Sequence, residues 1–376
     1  MADLLQGSLG HVVVVGGCGF LGHHIVQQLS HNVETRVSVL DLFTNRNRID
    51  SPRISYYDCD ITNLETVREI FAKTKPDVVI HTASPVFSGP QNELMYRVNV
   101  VGTDNLLKAA QEYGTRAFVY TSSASAIMGP VGTDIINADE RWPVVYGDAQ
   151  PEYYTTTKVL AEKAVLAANR TPATLLTCAI RPAGIFGEGD VQALPGMLTA
   201  SRKGQSKFQL GPNNNLFDFT YVGNVAYAHL LAAVALMHTH KLSVAPLDSE
   251  RVDGEAFFIT NDQPVYFWDF ARTVWREAGD KVAVDPSKIW ILSTSLGLLI
   301  AGIMEWIFWI FGKTPNLDRS KVRFSAMSRY YSIDKAKKRL GYEPIVDIEE
   351  GIKRGMKDLL RREAEANAQK TDKKGQ

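Results

Sequence analysis

The strongest constraint on the fold is a glycine-rich turn that directly follows a short apolar strand near the amino terminus. Residues 12–15 are four valines, and the run Gly16-Gly17-Cys18-Gly19-Phe20-Leu21-Gly22 then opens a helix. In such a unit the first glycine allows a tight turn, the middle one lets the backbone approach a pyrophosphate, and the last lets the helix pack on the strand. The free N–H groups at the start of the helix also attract phosphate. We therefore predict a dinucleotide site that includes Gly16, Gly19, Phe20, Leu21 and Gly22.

A carboxylate at the end of the second predicted strand indicates which dinucleotide binds. Residues 37–40 form an apolar run that ends in Asp41. An aspartate there can accept hydrogen bonds from both ribose hydroxyls of NAD, and its charge would repel the extra phosphate of NADP. Arg46 and Arg48 lie just beyond, so some use of NADP stays open. NAD is the predicted cofactor.

Short apolar runs alternate with helix-length amphipathic segments from residue 12 to about residue 185. The runs are residues 12–15, 37–40, 78–80, 118–120 and 175–180. Continuous Val/Ile/Leu strands separated by helices are buried on both faces, which is typical of a doubly wound parallel sheet. The predicted fold class is α/β, a Rossmann-type doubly wound parallel sheet with a smaller C-terminal substrate-binding region.

The same pattern predicts a division of the 376 residues into three regions. A Rossmann domain covers residues 10–190, and residues 216–240, with a helix from about 222 to 237, return to it. Residues 191–215 and 241–360 form the substrate-binding region, which begins where glycine, proline and asparagine turns break the alternation. The last stretch, residues 361–376, is charged and lacks large apolar side chains, which predicts a disordered tail.

Two further strand ends supply candidate cofactor contacts. Asp60 and Ile61 follow the third strand and could meet the adenine, while Ala83 and Ser84 follow the fourth and could line the middle of the cofactor. The carboxyl ends of parallel strands meet at the crevice where ligands bind. Simple turn chemistry would explain the same residues, and spacing alone does not separate these interpretations.

A phenol and an ammonium lie four residues apart in Tyr154 and Lys158, so they share one face if the segment is helical. The ammonium would favour the ionised phenol and lower a pKa that is about 10 when unperturbed. Ser123 follows an apolar strand and can hold a substrate oxygen beside that phenol, with Ser125 and Ser122 as alternatives. The three residues predict oxidation or reduction at an alcohol carbon.

Charge and composition exclude several classes of partner. Lysine plus arginine equals aspartate plus glutamate at 41 each, and no basic stripe is interleaved with aromatics, so nucleic acid is not an expected partner. The three cysteines are widely spaced and the eight histidines lack ligand spacing, so neither a disulfide framework nor a metal site is expected.

One late segment is unusually apolar. Residues 289–312 contain a single charge, Glu305, in 24 positions. A helix of that length could cross a hydrocarbon core of about 30 Å. A single crossing would separate the closing segment from the sheet, so we expect a helix, or a helix broken near Gly297 or Gly302, that dips into one leaflet or forms the mouth of the substrate pocket. A buried core helix is the alternative.

Together these motifs resemble the extended short-chain dehydrogenase/reductase family from about residue 11 to residue 356. The resemblance rests on the glycine run, Asp41, the serine cluster, the Tyr154/Lys158 pair, Arg181-Pro182-Ala183-Gly184-Ile185-Phe186-Gly187, and the closing segments 331–335 and 340–344. The segment 120–125 and the apolar segment are most similar to the 3β-hydroxysteroid dehydrogenase branch, and within it to fungal sterol enzymes that decarboxylate. The resemblance adds Pro182, Ile185, Tyr154 and Lys158 to the cofactor-binding residues.

What this resemblance implies is NAD-dependent oxidation of a sterol 3β-hydroxyl in ergosterol-type biosynthesis. Tyr154 as phenolate takes the hydroxyl proton, Ser123 orients the oxygen, and Lys158 holds the tyrosine ionised and the nicotinamide ribose in place. A carboxylate at the adjacent C4 then leaves as carbon dioxide, because the new ketone makes the substrate a β-keto acid. The cytosolic face of the endoplasmic reticulum membrane, neighbouring sterol C4-demethylation enzymes and a homodimer are compatible expectations.

Other functions share parts of this pattern. A 3β-hydroxysteroid dehydrogenase without decarboxylation would use the same residues. A nucleotide-sugar epimerase has the same fold and catalytic group but retains its NAD. A membrane-tethered NAD-sensing scaffold would tolerate loss of Tyr154, and a dihydroflavonol-type reductase is disfavoured by Asp41. The apolar segment favours a lipid over a sugar, and the intact Ser123, Tyr154 and Lys158 favour catalysis.

Overall fold

A seven-stranded, all-parallel sheet forms the centre of the protein, in the order β12-β7-β5-β4-β1-β2-β3. The computed structural model describes residues 9–85, 92–150, 152–172, 174–283, 285–313, 315 and 317–374. The strands are β1 His11–Val15, β2 Arg36–Asp41, β3 Ile54–Asp58, β4 Val78–His81, β5 Ala117–Thr121, β6 Ile135–Ala138, β7 Leu176–Pro182, β8 Gly184–Phe186, β9 Phe208–Leu210, β10 Leu216–Phe217, β11 Phe219–Tyr221, β12 Glu255–Ile259, β13 Val265–Tyr266, β14 Trp290–Leu292 and β15 Arg329–Tyr331. The helices are α1 Phe20–Ser30, α2 Leu64–Thr74, α3 Asn92–Tyr96, α4 Gly102–Glu112, α5 Tyr153–Ala167, α6 Ala193–Arg202, α7 Val222–His240, α8 Phe267–Glu277, α9 Thr294–Ile310, α10 Arg319–Ala326, α11 Asp334–Leu340 and α12 Ile348–Lys374.

The predicted Rossmann-type sheet is confirmed, and its five apolar runs are β1, β2, β4, β5 and β7. Its edge strand β12 comes from the stretch 241–360 that was predicted to be substrate-binding, because β12 pairs with β7. Successive side chains of a strand point to opposite faces, and both faces of this sheet are covered. In β1, Val12 and Val14 join the core on one side, whereas Val13 and Val15 join the core on the other. The strand order reverses between β1 and β4, which is where such sheets bind ligands.

A second, four-stranded sheet has the order β13-β10-β15-β6 and gathers segments that are far apart in the chain. Arg329 in β15 is in register with Phe217 of β10 on one side and Ile135 of β6 on the other. The sheet therefore brings a residue from the late part of the chain beside the Rossmann half.

The helix expected over residues 222–237 is α7, which extends from Val222 to His240. Among the described residues it is the one helix long and apolar enough to cross a membrane. Its apolar window is 78% buried inside the protein, and it packs against α1, β5 and β7. Such burial is that of a core helix.

The apolar segment 289–312 is not one continuous element. It begins as β14, paired with β9, and then forms α9, which is capped by Ser293 and is unbroken for 17 residues. A break near Gly297 or Gly302 is therefore wrong. Gly297 serves close packing instead, since a Cβ there would lie 2.9 Å from Leu210. At 1.5 Å per residue α9 is about 25 Å long.

The stretch predicted as a disordered tail is helical in α12 as far as Lys374, and residues 375–376 lie outside the described residues. Its composition explains the difference, because Ala, Glu, Arg, Gln and Lys are strong helix formers. Met356 and Leu359 anchor the preceding turns in the core, and Arg361 pairs with Glu365 one turn later at 2.8 Å.

Candidate active site

The glycine turn between β1 and α1 forms the floor of the candidate cofactor site. Gly16 has a φ of +78°, and its N–H donates to the Leu40 carbonyl at 2.6 Å. A Cβ on Gly22 would lie 2.1 Å from the Gly16 carbonyl oxygen, so any side chain there would push α1 away from the turn. Gly19 caps α1 without a side chain, and Phe20 and Leu21 begin the helix. The backbone is thus free to approach a pyrophosphate, as the fingerprint predicts.

Asp41 lies directly beside this turn. Its Oδ2 accepts a hydrogen bond from the Cys18 N–H at 3.0 Å, which holds the partly buried carboxylate against the glycine run. The acceptor is fixed where the ribose of a dinucleotide on this turn would lie. The turn and the carboxylate together fit a dinucleotide.

The other two strand ends differ from each other. Asp60 is exposed and its Oδ1 accepts from the Thr62 N–H at 2.9 Å, which is ordinary turn chemistry. Ile61 is buried against Gly102. Contact of either residue with adenine stays a prediction. By contrast, the backbone of Ala83 lies against Gly16, since a Cβ on that glycine would be 2.7 Å from the Ala83 nitrogen.

The phenol and the ammonium lie on one helix, as their spacing predicts. The helix α5 begins at Tyr153, so Tyr154 is in its first turn and Lys158 follows one turn later. Ser84, just after the fourth strand, lies close enough to the Tyr154 phenol to act on its pKa. The structure therefore brings a predicted cofactor residue and a predicted catalytic residue together.

Ser123 is attached to this helix through a chain of hydroxyl groups. Its Oγ lies 2.8 Å from the Ser125 Oγ, and Thr155 donates to that same Ser125 oxygen at 3.0 Å. Ser122 and Ser125 are buried, whereas Ser123 is partly exposed. Ser125 supports the turn, and Ser123, the most exposed of the three serines, stays the predicted substrate contact.

Lys158 is buried, with its Nζ donating to the Thr121 carbonyl oxygen and lying 4.5 Å from the centre of the Tyr120 ring. Burial lowers the pKa of Lys158 to about 7, and Glu162 acts in the opposite direction. The amine can therefore exchange a proton near neutral pH.

The expected lowering of the Tyr154 pKa by Lys158 is not observed. Burial raises the pKa of the phenol above its usual value, and the nearby Ser84 hydroxyl only partly opposes this effect. The physical reason is that loss of water penalises the phenolate, while the ammonium is bonded to the Thr121 carbonyl.

The remaining predicted cofactor residues lie at the end of β7 and in β8. Pro182 is the last residue of β7, and Ile185 lies in the middle of β8, which pairs with β11. Pro182 lies at the carboxyl end of β7, the strand next to β5, and Ile185 follows it, on the side of the crevice that carries Ser123.

Sequence reasoning missed Asn99. This buried side chain lies in a π-helical turn, Arg97–Val101, and donates through Nδ2 to the Thr157 hydroxyl at 3.0 Å, one residue before Lys158. Its Oδ1 has no hydrogen-bond partner in the described part of the protein. Single π-helical turns are frequent at functional sites. The available signal was an amide among three valines, Val98, Val100 and Val101.

Arg181 and Glu162 form a second missed feature, a buried ion pair beneath the site. The Arg181 Nε donates to the Glu162 carboxylate at 2.9 Å, and both side chains are buried. Because Glu162 also acts on Lys158, the pair sets part of the field at the amine.

In the described ranges no cluster of His, Cys, Asp and Glu could hold a metal ion.

Comparison with known proteins shows which family profile and which relatives match the chain. A profile of the 3-beta hydroxysteroid dehydrogenase/isomerase family matches residues 13–288. A decarboxylating sterol-4-alpha-carboxylate 3-dehydrogenase of Schizosaccharomyces pombe is 43% identical over 346 residues, covering 91% of this chain and 95% of the relative. The decarboxylating human protein of that description is 35% identical over 350 residues, covering 93% and 88%.

Solved structures agree on the fold. An epimerase of Methanothermobacter thermautotrophicus has a TM-score of 0.70 at 21% identity, covering 93% of this chain and 92% of the epimerase. A Bordetella bronchiseptica enzyme in complex with NAD+ has a TM-score of 0.69 at 17% identity, covering 93% and 98%. The family match and the glycine turn together indicate a nicotinamide cofactor.

Proposed function

The chain belongs to the 3-beta hydroxysteroid dehydrogenase/isomerase family, and we propose that it oxidises the 3β-hydroxyl of a 4α-carboxysterol with NAD and releases the carboxylate as carbon dioxide. The observation that carries this proposal is the arrangement of Ser123, Tyr154 and Lys158 at the crevice beside the glycine turn. Relatives named for this reaction match almost the whole chain.

The first step needs a base at the alcohol and a group that holds its oxygen. Ser123 orients the oxygen. Tyr154 must first lose its own proton, because burial raises its pKa in the cofactor-free protein, and as phenolate it then takes the hydroxyl proton. When bound, NAD supplies the acceptor for the hydride that leaves the same carbon. Lys158, with a pKa of about 7, provides a buried amine that can gain or lose a proton near the phenol as it cycles.

The second step uses the ketone made in the first. Its carbonyl lies β to the C4 carboxylate, so the C4–carboxyl bond breaks and its electron pair flows onto the ketone oxygen. Carbon dioxide leaves and an enolate forms, which then takes a proton at C4. Ser123 and the protonated Tyr154 can both donate hydrogen bonds to the enolate oxygen.

The preference for NAD over NADP is part of the proposal. It is supported by the fixed position of Asp41 beside the glycine turn, where its charge opposes a ribose phosphate. Arg46 and Arg48 are both exposed in the following loop, which keeps weak use of NADP compatible with the structure.

We also propose that β14 and α9 insert into one leaflet of a membrane. On α9 the small residues Gly297 and Ala301 face the protein, while large apolar side chains point outward, and Trp309 is 76% exposed. The outward side chains of β14, α9 and the residue after α9 are Trp290, Ile291, Leu296, Leu299, Ile303, Trp306, Ile307, Trp309, Ile310 and Phe311. An exposed apolar face rich in tryptophan suits the boundary between headgroups and acyl chains.

The endoplasmic reticulum as the membrane, its cytosolic face as the location, neighbouring C4-demethylation enzymes and a homodimer stay predictions of the sequence. The chemistry expected of neighbouring C4-demethylation enzymes agrees with the proposal. An oxidising enzyme must generate the C4 carboxylate, and a reductase must consume the 3-ketone.

The deciding experiment follows NADH and carbon dioxide together when the protein is incubated with NAD and a 4α-carboxysterol. We expect one NADH and one carbon dioxide for each sterol. Carbon dioxide without NADH, or neither product, would reject the proposal. NADH from a sterol that lacks the carboxylate, with the carboxysterol unreactive, would assign a plain 3β-hydroxysteroid dehydrogenase.

A further inference from the structure

A cation lies close to the turn that carries Ser123. Arg329 begins β15, and its Nε donates to the Tyr331 hydroxyl at 2.9 Å. The same hydroxyl donates to the Ala124 carbonyl oxygen at 3.3 Å. Because Ala124 directly follows Ser123, two consecutive hydrogen bonds set the position of the guanidinium relative to the catalytic serine.

This guanidinium retains hydrogen-bonding capacity. Arg329 is partly buried, and within the described ranges it makes no ion pair, so its two terminal nitrogens are available to a ligand. Of two other cations near the serine turn, Lys158 donates to the Thr121 carbonyl, and Arg181 pairs with Glu162 while its buried Nη1 has no hydrogen-bond partner in the described part of the protein. The charge of Arg181 is thus already balanced by a carboxylate, whereas Arg329 offers a guanidinium without an ion-pair partner.

The surroundings of Arg329 suit a ligand that is apolar except for one anionic group. Its guanidinium carbon lies 5.7 Å from the centre of the Phe217 ring and 5.8 Å from that of Phe324. Aromatic rings stabilise a guanidinium and also provide contact area for a hydrocarbon skeleton.

The nearby carboxyl group of Asp218 does not neutralise Arg329. Its Oδ2 accepts from the Tyr331 N–H at 2.8 Å, and it lies beyond ion-pair distance of the guanidinium. Burial raises the pKa of Asp218 to about 7, so at neutral pH the group is only partly charged. An incoming carboxylate therefore meets less repulsion from Asp218 than it would from a fully ionised carboxyl group.

We propose that Arg329 binds the C4 carboxylate of the substrate and so selects carboxylated sterols. The inference rests on the proposed function, since it requires an alcohol and a carboxylate on adjacent carbons. When Ser123 and Tyr154 hold the alcohol, the carboxylate must lie within a few ångströms of them, and a guanidinium can hold it through two parallel hydrogen bonds.

The reaction itself removes this contact. The carboxylate is charged in the substrate, whereas carbon dioxide is neutral and the 3-ketone has no anion at C4. Arg329 therefore stabilises bound substrate and not product, which favours product release. Arg329 is a substrate-binding residue in this scheme, and the proton and hydride transfers do not pass through it.

The test compares Arg329→Gln with Arg323→Gln, a matched change at an exposed arginine of α10. The substrates are a 4α-carboxysterol and the same 3β-hydroxysterol without the carboxylate. From the strength of a charged hydrogen bond we expect Arg329→Gln to lower kcat/KM for the carboxysterol by about 10- to 100-fold. Activity on the other sterol should change by less than about threefold, and Arg323→Gln should change neither.

Equilibrium binding gives a second readout that needs no turnover. In the complex with NADH, which cannot accept a hydride, Arg329→Gln should weaken binding of the carboxysterol and leave the affinity for the uncharged sterol unchanged. Arg329→Lys keeps the charge but loses the planar guanidinium, so its affinity for the carboxysterol should lie between those of the wild type and Arg329→Gln. If Arg329→Gln weakened the binding of both sterols equally, or of neither, the inference would be overturned.

Failure of the proposed function is distinguishable from failure of this inference. If the wild-type protein yields no NADH and carbon dioxide from the carboxysterol, the function is wrong whatever Arg329 does. If the wild type turns over and Arg329→Gln retains its discrimination between the two sterols, only the inference is wrong. Unchanged NAD affinity and melting temperature in Arg329→Gln verify that the fold is intact.

Discussion

Thr155 donates a hydrogen bond to the Ser125 Oγ at 3.0 Å, and both residues are buried. Each residue lies next to a residue with a proposed role in the reaction but has no such role itself. Thr155 follows Tyr154 on α5, and Ser125 supports Ser123 on the turn after β5. This contact fixes the distance between the base and the group that orients the alcohol.

Replacing Thr155 with valine should therefore impair catalysis as well as stability. The isosteric side chain leaves the Ser125 hydroxyl with one partner fewer in a buried position, which costs about 1–3 kcal/mol. We expect lower kcat with little change in NAD affinity. Thr199→Val, an exposed position on α6, is the control. Full kcat in Thr155→Val would show that the contact does not position the serine.

Replacing Tyr154 with phenylalanine should abolish turnover while NAD still binds. Removal of a general base typically lowers the rate by about 10²- to 10⁴-fold. Tyr153→Phe is a matched control, because Tyr153 is exposed and one position out of register. Comparable activity in Tyr154→Phe and Tyr153→Phe would remove Tyr154 from the mechanism.

The buried amine of Lys158 should make the stability of the cofactor-free protein depend on pH. Burial lowers its pKa from 10.5 to about 7, so between these values the unfolded chain binds more protons than the folded one. The free energy of unfolding should then rise with pH from about 7 to about 10.5, with a limiting slope of about 1.4 kcal/mol per pH unit. Urea unfolding of Lys158→Met should lack this component, and an unchanged slope would contradict the assignment.

Replacing Asp41 with alanine should weaken NAD binding and reduce discrimination against NADP. The substitution removes the ribose acceptor and the charge that opposes a phosphate, so the NAD/NADP ratio of kcat/KM should fall by at least about tenfold. Asp50→Asn, in the exposed part of the same loop, should leave the ratio unchanged. An unaltered ratio in Asp41→Ala would place cofactor choice elsewhere.

Replacing Trp306 and Trp309 together with serine should reduce membrane association. Both side chains are mostly exposed on α9, and loss of their apolar area should shift the protein from floated vesicles to the soluble fraction. High salt should leave the wild type bound, whereas detergent should release it. Trp142→Ser, an exposed tryptophan outside α9, is the control, and full-length wild type recovered without detergent in the soluble fraction would reject the membrane proposal.

Local sequence patterns predicted the Rossmann-type sheet, the glycine turn and the pairing of Tyr154 with Lys158 on one helix. These features depend on neighbours within a few residues, since glycine permits the turn and a four-residue spacing defines a helix face. Whether the apolar segment forms a continuous helix could not be predicted from its own residues. Whether Gly297 breaks a helix or packs closely depends on Leu210, a residue far away in the chain.

Tertiary structure alone decided which distant groups meet at the alcohol site and how water is excluded from them. Arg329 reaches the serine turn because β15 enters a sheet with β6, about 190 residues earlier in the chain. The raised pKa of Tyr154 and the lowered pKa of Lys158 arise from burial by several elements at once. Residue type and spacing specify which chemical groups and local turns are available. Their proximity and desolvation depend on packing between segments, which no local pattern encodes.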